Sequence, residues 1–154
     1  MKKLTIVAGL ALLIYACAES TSKNSAPSES PAKETAAPAY DTAKGAGRFT
    51  KVDIPASLDA KMAEAGKKVY DLKCAACHKL SDEKLVGPGW KGVTARHTPE
   101  WIMNFSTNPD EMLQKDPKAQ AMLEICLVKM PNQNLTDDEA RQIYEFMRKN
   151  DGIK

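Results

Sequence analysis

The pentapeptide Cys74-Ala75-Ala76-Cys77-His78 constrains this 154-residue chain more than any other stretch. Two thiols separated by two residues and followed at once by histidine match the attachment site of c-type haem. Each sulfur can form a thioether with one vinyl group of the porphyrin, and His78 is then held where its imidazole can ligate the iron as proximal ligand. Other readings of Cys-x-x-Cys (a zinc half-site, a redox dithiol, a simple disulfide) lack their usual context. Zinc wants a second ligand pair at similar spacing, and the remaining cysteines, Cys17 and Cys126, are isolated. A thioredoxin-like dithiol would sit beside a βαβ pattern, whereas the residues around Cys74 read as helix.

The chain has room for one small domain plus accessory segments, and the accessory segments come first. Met1-Lys2-Lys3 is a basic start, and residues 4–16 form an apolar run shorter than the roughly 20 residues of a membrane-spanning helix. Residues 1–16 therefore read as an export signal. The run ends in Leu13-Ile14-Tyr15-Ala16-Cys17, which resembles the lipobox of bacterial lipoproteins, although Tyr15 departs from the usual small residue. On this reading Cys17 is acylated and anchors the protein to a membrane on the extracytoplasmic, periplasmic side. A cut after the A-x-A arrangement Ala16-Cys17-Ala18 would instead release a soluble periplasmic protein beginning at Glu19.

Residues 17–55 then read as the acylated cysteine and a disordered linker rich in Ala, Ser, Thr, Pro, Lys and Glu. As random coil the 38 residues from 18 to 55 would span roughly 35 Å, and at most about 130 Å if stretched. The 22 basic and 20 acidic side chains include Lys2 and Lys3, which leave with the signal, so the mature chain is balanced. Residues 56–154 carry 15 of each sign. Net charge thus gives no reason to expect nucleic acid or an anionic membrane surface as a partner.

The domain proper, residues 56–154, reads as all-α. Leu58, Met62, Ala65, Gly66, Val69 and Tyr70 recur at helical spacing and lead into Cys74, with Ser57 as the expected N-cap. Thr98-Pro99 opens another helix, and Pro117, Ala119, Met122, Leu123 and Cys126 outline a further one. Thr136-Asp137-Asp138-Glu139 is a capping box, after which Ala140, Ile143, Tyr144 and Met147 share one face. Gly66 would let this last helix approach closely, so the first and last helices are expected to cross. Three to five short helices make a marginal core, and a bound macrocycle would supply much of what they pack against. Without haem the domain should fold poorly.

The order Tyr70-x-x-x-Cys74-Ala75-Ala76-Cys77-His78, then Gly87-Pro88-Gly89-Trp90-x-Gly92-Val93, then Met130-Pro131 ahead of an amphipathic helix, resembles the class I c-type cytochromes over residues 56–150. The resemblance implies the small cytochrome c fold, one haem c bound through Cys74 and Cys77, and Met130 as second axial ligand opposite His78. It also implies that the backbone carbonyl of Pro88 accepts from the His78 ring and that Trp90 covers part of the haem. Read from the residues alone, Met130 precedes a proline that biases it toward extended backbone, which places it in a loop and off any helical stripe. Met62, Met122 and Met147 fall on helical faces as core filling, and Met103 and Met112 lie where they could line the pocket without ligating. His97 is the other histidine; a solvent-facing or propionate-contacting role fits it better than ligation, and Arg96 beside it is a candidate for the same propionate. Trp101 reads as packing. Cys126, beside Met122 and Leu123, reads as a buried small hydrophobe.

The resulting expectation is a membrane-tethered, monomeric electron carrier that passes single electrons between respiratory complexes, such as a terminal oxidase or reductase, and has no small-molecule substrate. Lys67, Lys68, Lys73 and Lys79 are candidates for framing the haem edge, although a solvated helix face explains them equally. The alternatives are a haem sensor or enzyme with an open distal site, and a fixed electron-entry subunit of one oxidase or reductase.

Overall fold

A computed structural model describes residues 40–154. The leader, the acylation site Cys17 and the first part of the expected linker lie outside the described residues. Among the described residues six helices run in the order α1 (Ala60–Lys73), α2 (Val93–Arg96), α3 (Pro99–Thr107), α4 (Pro109–Lys115), α5 (Pro117–Cys126) and α6 (Asp137–Asn150). Among the described residues the only β pairing is an isolated bridge between His78 and Lys84. The all-α expectation holds, with two helices more than the four that periodicity outlined: the single turn α2, and α4.

Three helices begin the same way, with a polar cap followed by proline at the first helical position. Thr98, Asn108 and Asp116 accept from the backbone N–H groups of Trp101, Glu111 and Ala119. In each case Pro99, Pro109 or Pro117 occupies a position whose N–H has no intrahelical partner, and its ring pushes the capping residue out of the helix. The chain therefore turns corners at short intervals and builds a cup out of α3, α4 and α5. At α6 the expected capping box is present in both directions, Glu139 N–H to Thr136 Oγ1 at 3.1 Å and Thr136 N–H to Glu139 Oε2 at 2.9 Å.

At α1 the cap differs from the expected Ser57: Asp59 accepts from Met62 N–H at 2.9 Å. The residues before it are already bound elsewhere. Leu58 N–H donates to the carbonyl of Lys154, and Asp59 N–H donates to Glu145 Oε1 at 2.8 Å, which keeps the chain extended up to Asp59.

Helices α1 and α6 cross as the sequence indicates. At Gly66 an added Cβ would overlap the backbone carbonyl of Gln142 and sit 2.9 Å from Phe146 Cβ, so the crossing needs a residue without a side chain. Tyr70 packs on Phe146 at 5.4 Å between ring centroids, and Ala140, Ile143, Tyr144 and Met147 are all buried on α6. Burying these apolar faces is the main stabilising term for so small a core.

The same helix also buries Glu145. Its carboxylate takes hydrogen bonds from Arg141 at 2.6 Å, Arg148 at 2.8 Å and Asp59 N–H, and Arg148 donates onward to the carbonyls of Pro55 and Ala56. Burial opposes the charge on Glu145, but these donors outweigh it and hold its carboxyl below the ordinary range.

Residues 40–55, which composition assigns to the linker, instead lie as a strap against the helices. Ala46 is buried, and Phe49, Val52 and Ile54 pack on the core. Buried Asn104 on α3 clamps the strap with three hydrogen bonds: its Oδ1 accepts from Phe49 N–H at 2.9 Å, and its Nδ2 donates to the carbonyls of Lys44 and Phe49 at 3.0 and 2.9 Å. Tyr40 donates to Asp116 Oδ2 at 2.7 Å, and Val52 N–H to Glu100 Oε1 at 2.8 Å. The domain boundary thus lies well before residue 56.

Candidate haem site

Helix α1 ends at the attachment motif. Cys74 occupies its C-cap and bonds back to Tyr70, and the next turn returns Cys77 N–H and His78 N–H to the Cys74 carbonyl, each at 3.0 Å. This tight turn brings both sulfurs and the imidazole to one opening. In the free thiol, burial pushes Cys74 up to about 11, far from the depressed range of a reactive dithiol. Among the described residues no group of three or more His, Cys, Asp or Glu is placed to hold a metal ion.

The loop after His78 folds back over the histidine ring. Gly87 N–H bonds to the Cys77 carbonyl at 2.9 Å, and a side chain at Gly87 would collide with the imidazole. One residue on, the Pro88 carbonyl lies 2.9 Å from His78 Nδ1. That bond fixes the tautomer, with hydrogen on Nδ1, and leaves the lone pair of Nε2 for the cleft. Burial lowers the His78 pKa against the opposing pull of the Pro88 bond, so the ring is neutral, as a metal ligand must be. Trp90 is buried with its ring 5.6 Å from that of His78 and 4.9 Å from Tyr70, whose hydroxyl donates to the His78 carbonyl at 2.7 Å. Asp151, just past α6, holds the far end of the loop through Gly92 N–H, Thr94 N–H and the Thr94 hydroxyl.

Opposite these residues lies an apolar cleft in two connected parts of about 950 and 540 Å³ including their mouths, within the size range of cofactor pockets. Cys77, His78, Pro88, Phe105, Met122, Met130 and Pro131 line both parts. Cys74, Trp90, Ile102, Ile143, Leu135 and Met147 line the larger. The six positions read from sequence, Cys74, Cys77, His78, Pro88, Trp90 and Met130, therefore share one cleft. Met130 is partly buried in the loop between α5 and α6, after Leu127 at φ 61° and before Asn134 at φ 49°.

Several sequence expectations are revised here. Met103 and Met112 do not line the cleft; both are buried in the core, where Met112 Sδ accepts from Ala46 N–H under the strap. Met122 and Met147 face the cleft instead. Cys126 is half-exposed and lines the smaller part, because it closes the last turn of α5 at the cleft mouth and not on a buried face. Arg96 lines the larger part of the cleft and donates to the carbonyls of Lys91 and Gly89. His97 is not solvent-facing: its ring stacks on Trp101 at 3.9 Å, and burial, with Lys118 and Arg96 nearby, lowers its pKa to about 4. Phe105, Ile102 and Leu135 were not singled out from sequence, because as pocket wall they are indistinguishable from ordinary core residues.

The cleft carries its own test of fit. His97 Nδ1 and Trp101 Nε1 are buried without a hydrogen-bond partner, and both residues line the larger part of the cleft. Unpaired buried polar atoms are costly, and the indole N–H of Trp101 is a donor that wants an acceptor. A macrocycle with an apolar body and carboxylate tails answers both the lining and the orphaned indole N–H. The family model for cytochrome c matches residues 63–151. The chain belongs to the cytochrome c family. It therefore takes covalently attached haem c, with Cys74 and Cys77 as its two attachment thiols. A cytochrome c from Rhodothermus marinus shares 32% identity and a TM-score of 0.66, covering 68% of this chain and 90% of that one. An engineered cytochrome c from Rhodothermus marinus gives 31% and 0.65 with the same coverage. An engineered form bound to a carbene intermediate gives 32% and 0.63, again with that coverage. A comparison with curated proteins finds no significant match. No helix among the described residues is long and apolar enough to cross a membrane.

Proposed function

We propose that this cytochrome c is a one-electron carrier with His78 and Met130 as axial ligands, tethered through acylated Cys17 on the extracytoplasmic side and serving respiratory-chain proteins. The observation that carries the reading is the His78 ring, oriented by the Pro88 carbonyl, in the same cleft as the Met130 loop. Bound haem supplies one iron that alternates between ferrous and ferric states. His78 and Met130 would hold the iron in both states, which would leave no place for a substrate on the metal and keep reorganisation small. The apolar lining excludes water, and a neutral imidazole with a thioether favours the reduced form. The sequence pattern at Cys17 supports the tether.

The test is optical. Wild-type ferric protein should show a sulfur-to-iron charge-transfer band, and the ferrous protein should bind carbon monoxide poorly. Met130→Ala should lose the band and bind carbon monoxide readily. Ready binding by the wild type would favour a haem sensor or enzyme. For the tether, fatty-acid labelling of wild type but not of Cys17→Ser is the expected result, and unlabelled wild type would indicate a soluble periplasmic protein.

A further inference from the structure

Five of the eight exposed large hydrophobic residues among those described gather at one place: Leu85, Val86, Ile125, Leu127 and Val128. Two segments contribute them, and Lys84 joins the segments by donating to the Ile125 carbonyl at 2.9 Å. Val86 and Val128 line the mouth of the smaller part of the cleft beside Cys77, while Ile125 and Leu127 point away from the protein with 66% and 82% of their surface open. Leu127 breaks two local rules at once. It adopts a left-handed backbone, φ 61°, at the end of α5 where glycine is the usual residue, and it presents a large apolar side chain to water. Neither feature stabilises the free protein, and together they mark a surface built to be covered.

Three of the four lysines expected to frame the haem edge are already committed, which leaves Lys68. Lys67, Lys73 and Lys79 are each paired, with Asp71, Glu139 and Glu83 respectively. Charges near the apolar patch also come close to cancelling. Lys84, Lys91 and Arg96 line the adjoining groove together with Asp82, Glu124 precedes Ile125, and Lys129 pairs with Asp110.

We propose that this patch is the docking face for the redox partner, and that the partner meets it with an apolar, nearly uncharged face of its own. The proposal rests on the carrier reading and specifies its partner's chemistry. Electrons leave by the shortest route, and the patch reaches the cleft through Val86 and Val128, which line it together with Cys77, one of the two attachment thiols. A strongly acidic partner face would leave its carboxylates desolvated against Leu127 and Ile125, whereas an apolar face is stabilised by the same burial. A patch of five side chains suits a small, short-lived complex. Near-neutral surroundings also predict weak electrostatic steering, hence weak dependence on salt.

The experiment follows oxidation of the full-length ferrous holoprotein by respiratory membranes of its own bacterium, with hexacyanoferrate as a small-molecule control. Wild type should vary less than about twofold between low and high ionic strength. Leu127→Ser and Ile125→Ser together should raise KM about tenfold, a binding change of ~1.4 kcal/mol, while the optical spectrum and hexacyanoferrate rate stay unchanged. An unchanged KM, or a rate that falls steeply with salt, overturns the proposal. A dimer in sedimentation that the two substitutions dissolve would assign the patch to a second copy, and flotation with neutral phosphatidylcholine vesicles lost on substitution would assign it to lipid; each outcome overturns the proposal too. If membranes leave wild type reduced while hexacyanoferrate oxidises it promptly, the carrier reading fails and the docking face fails with it.

Discussion

Asn104 makes the strap part of the folded domain, and removing its side chain measures how much the strap contributes. The residue is 1% exposed, and its amide makes three hydrogen bonds of 2.9 to 3.0 Å to the backbone at Lys44 and Phe49. At roughly 1 kcal/mol net for each bond, and somewhat more for any group left buried without a partner, Asn104→Ala is expected to cost about 3 to 4 kcal/mol. For a domain of this size that is a large share of a total stability of about 5–15 kcal/mol. Guanidinium unfolding of ferric holoprotein, followed by circular dichroism, gives the loss from the shift in midpoint at constant slope. The decisive arm is a chain beginning at Ala56. With no strap to hold, Asn104→Ala should then cost less than about 1 kcal/mol, and the difference between the two backgrounds is the coupling energy. Equal costs with and without residues 40–55 would refute the assignment, since Asn104 would then be serving α3 alone.

Three other outcomes follow from the geometry. Gly66→Ala forces a methyl group into the Gln142 carbonyl and should destabilise the holoprotein by about 2–3 kcal/mol in the same unfolding assay, with Gly66→Val worse. Glu145 has its pKa lowered by Arg141, Asp59 N–H and Arg148 against the effect of burial, so its contribution is present above its unfolded value near 4.5 and lost as pH falls through the lower folded value. Glu145→Gln should therefore lower stability at pH 7 by about 3 kcal/mol, by stranding two guanidinium groups, and flatten the acid limb of the stability profile. Trp101→Phe removes the orphaned indole N–H of a residue that lines the cleft; with less compensation of the haem carboxylates, the reduction potential should fall by on the order of 30 mV in redox titration, where 59 mV is tenfold for one electron.

What could be read from sequence depended on how local the cause was. The attachment motif, the cap at Thr98, the capping box at Thr136 and the buried face of α6 are set by residues within a turn or two of one another, and the structure reproduces each. Helix α4 was equally legible: Asn108-Pro109 repeats the cap-and-proline pattern of Thr98-Pro99, but Asp110 and Glu111 broke the apolar rhythm. The cap of α1 was not legible, because Ser57 and Asp59 are both good caps and the choice is made by Glu145 and Lys154, nearly a hundred residues away. The strap failed for a related reason. Its composition is that of a linker, and the signal against this was Phe49, Val52 and Ile54, three large apolar residues within six positions.

The strap also bears on how the site is finished. Gly45 lies close enough to Trp101 that an added Cβ would come within 3.1 Å of the indole, so the strap backs the ring that stacks on His97 at the cleft wall. A domain of six short helices has too little core to hold such a wall rigid from one side. With Asn104 fastening the strap at Lys44 and Phe49, and Tyr40 fastening it at Asp116, the outer side of Trp101 is braced before any cofactor arrives. The indole of Trp101 is thereby held in advance, and a preorganised wall loses less on binding than one that must first be ordered. A segment with the composition of a tether thus serves as the outer wall of a cofactor site.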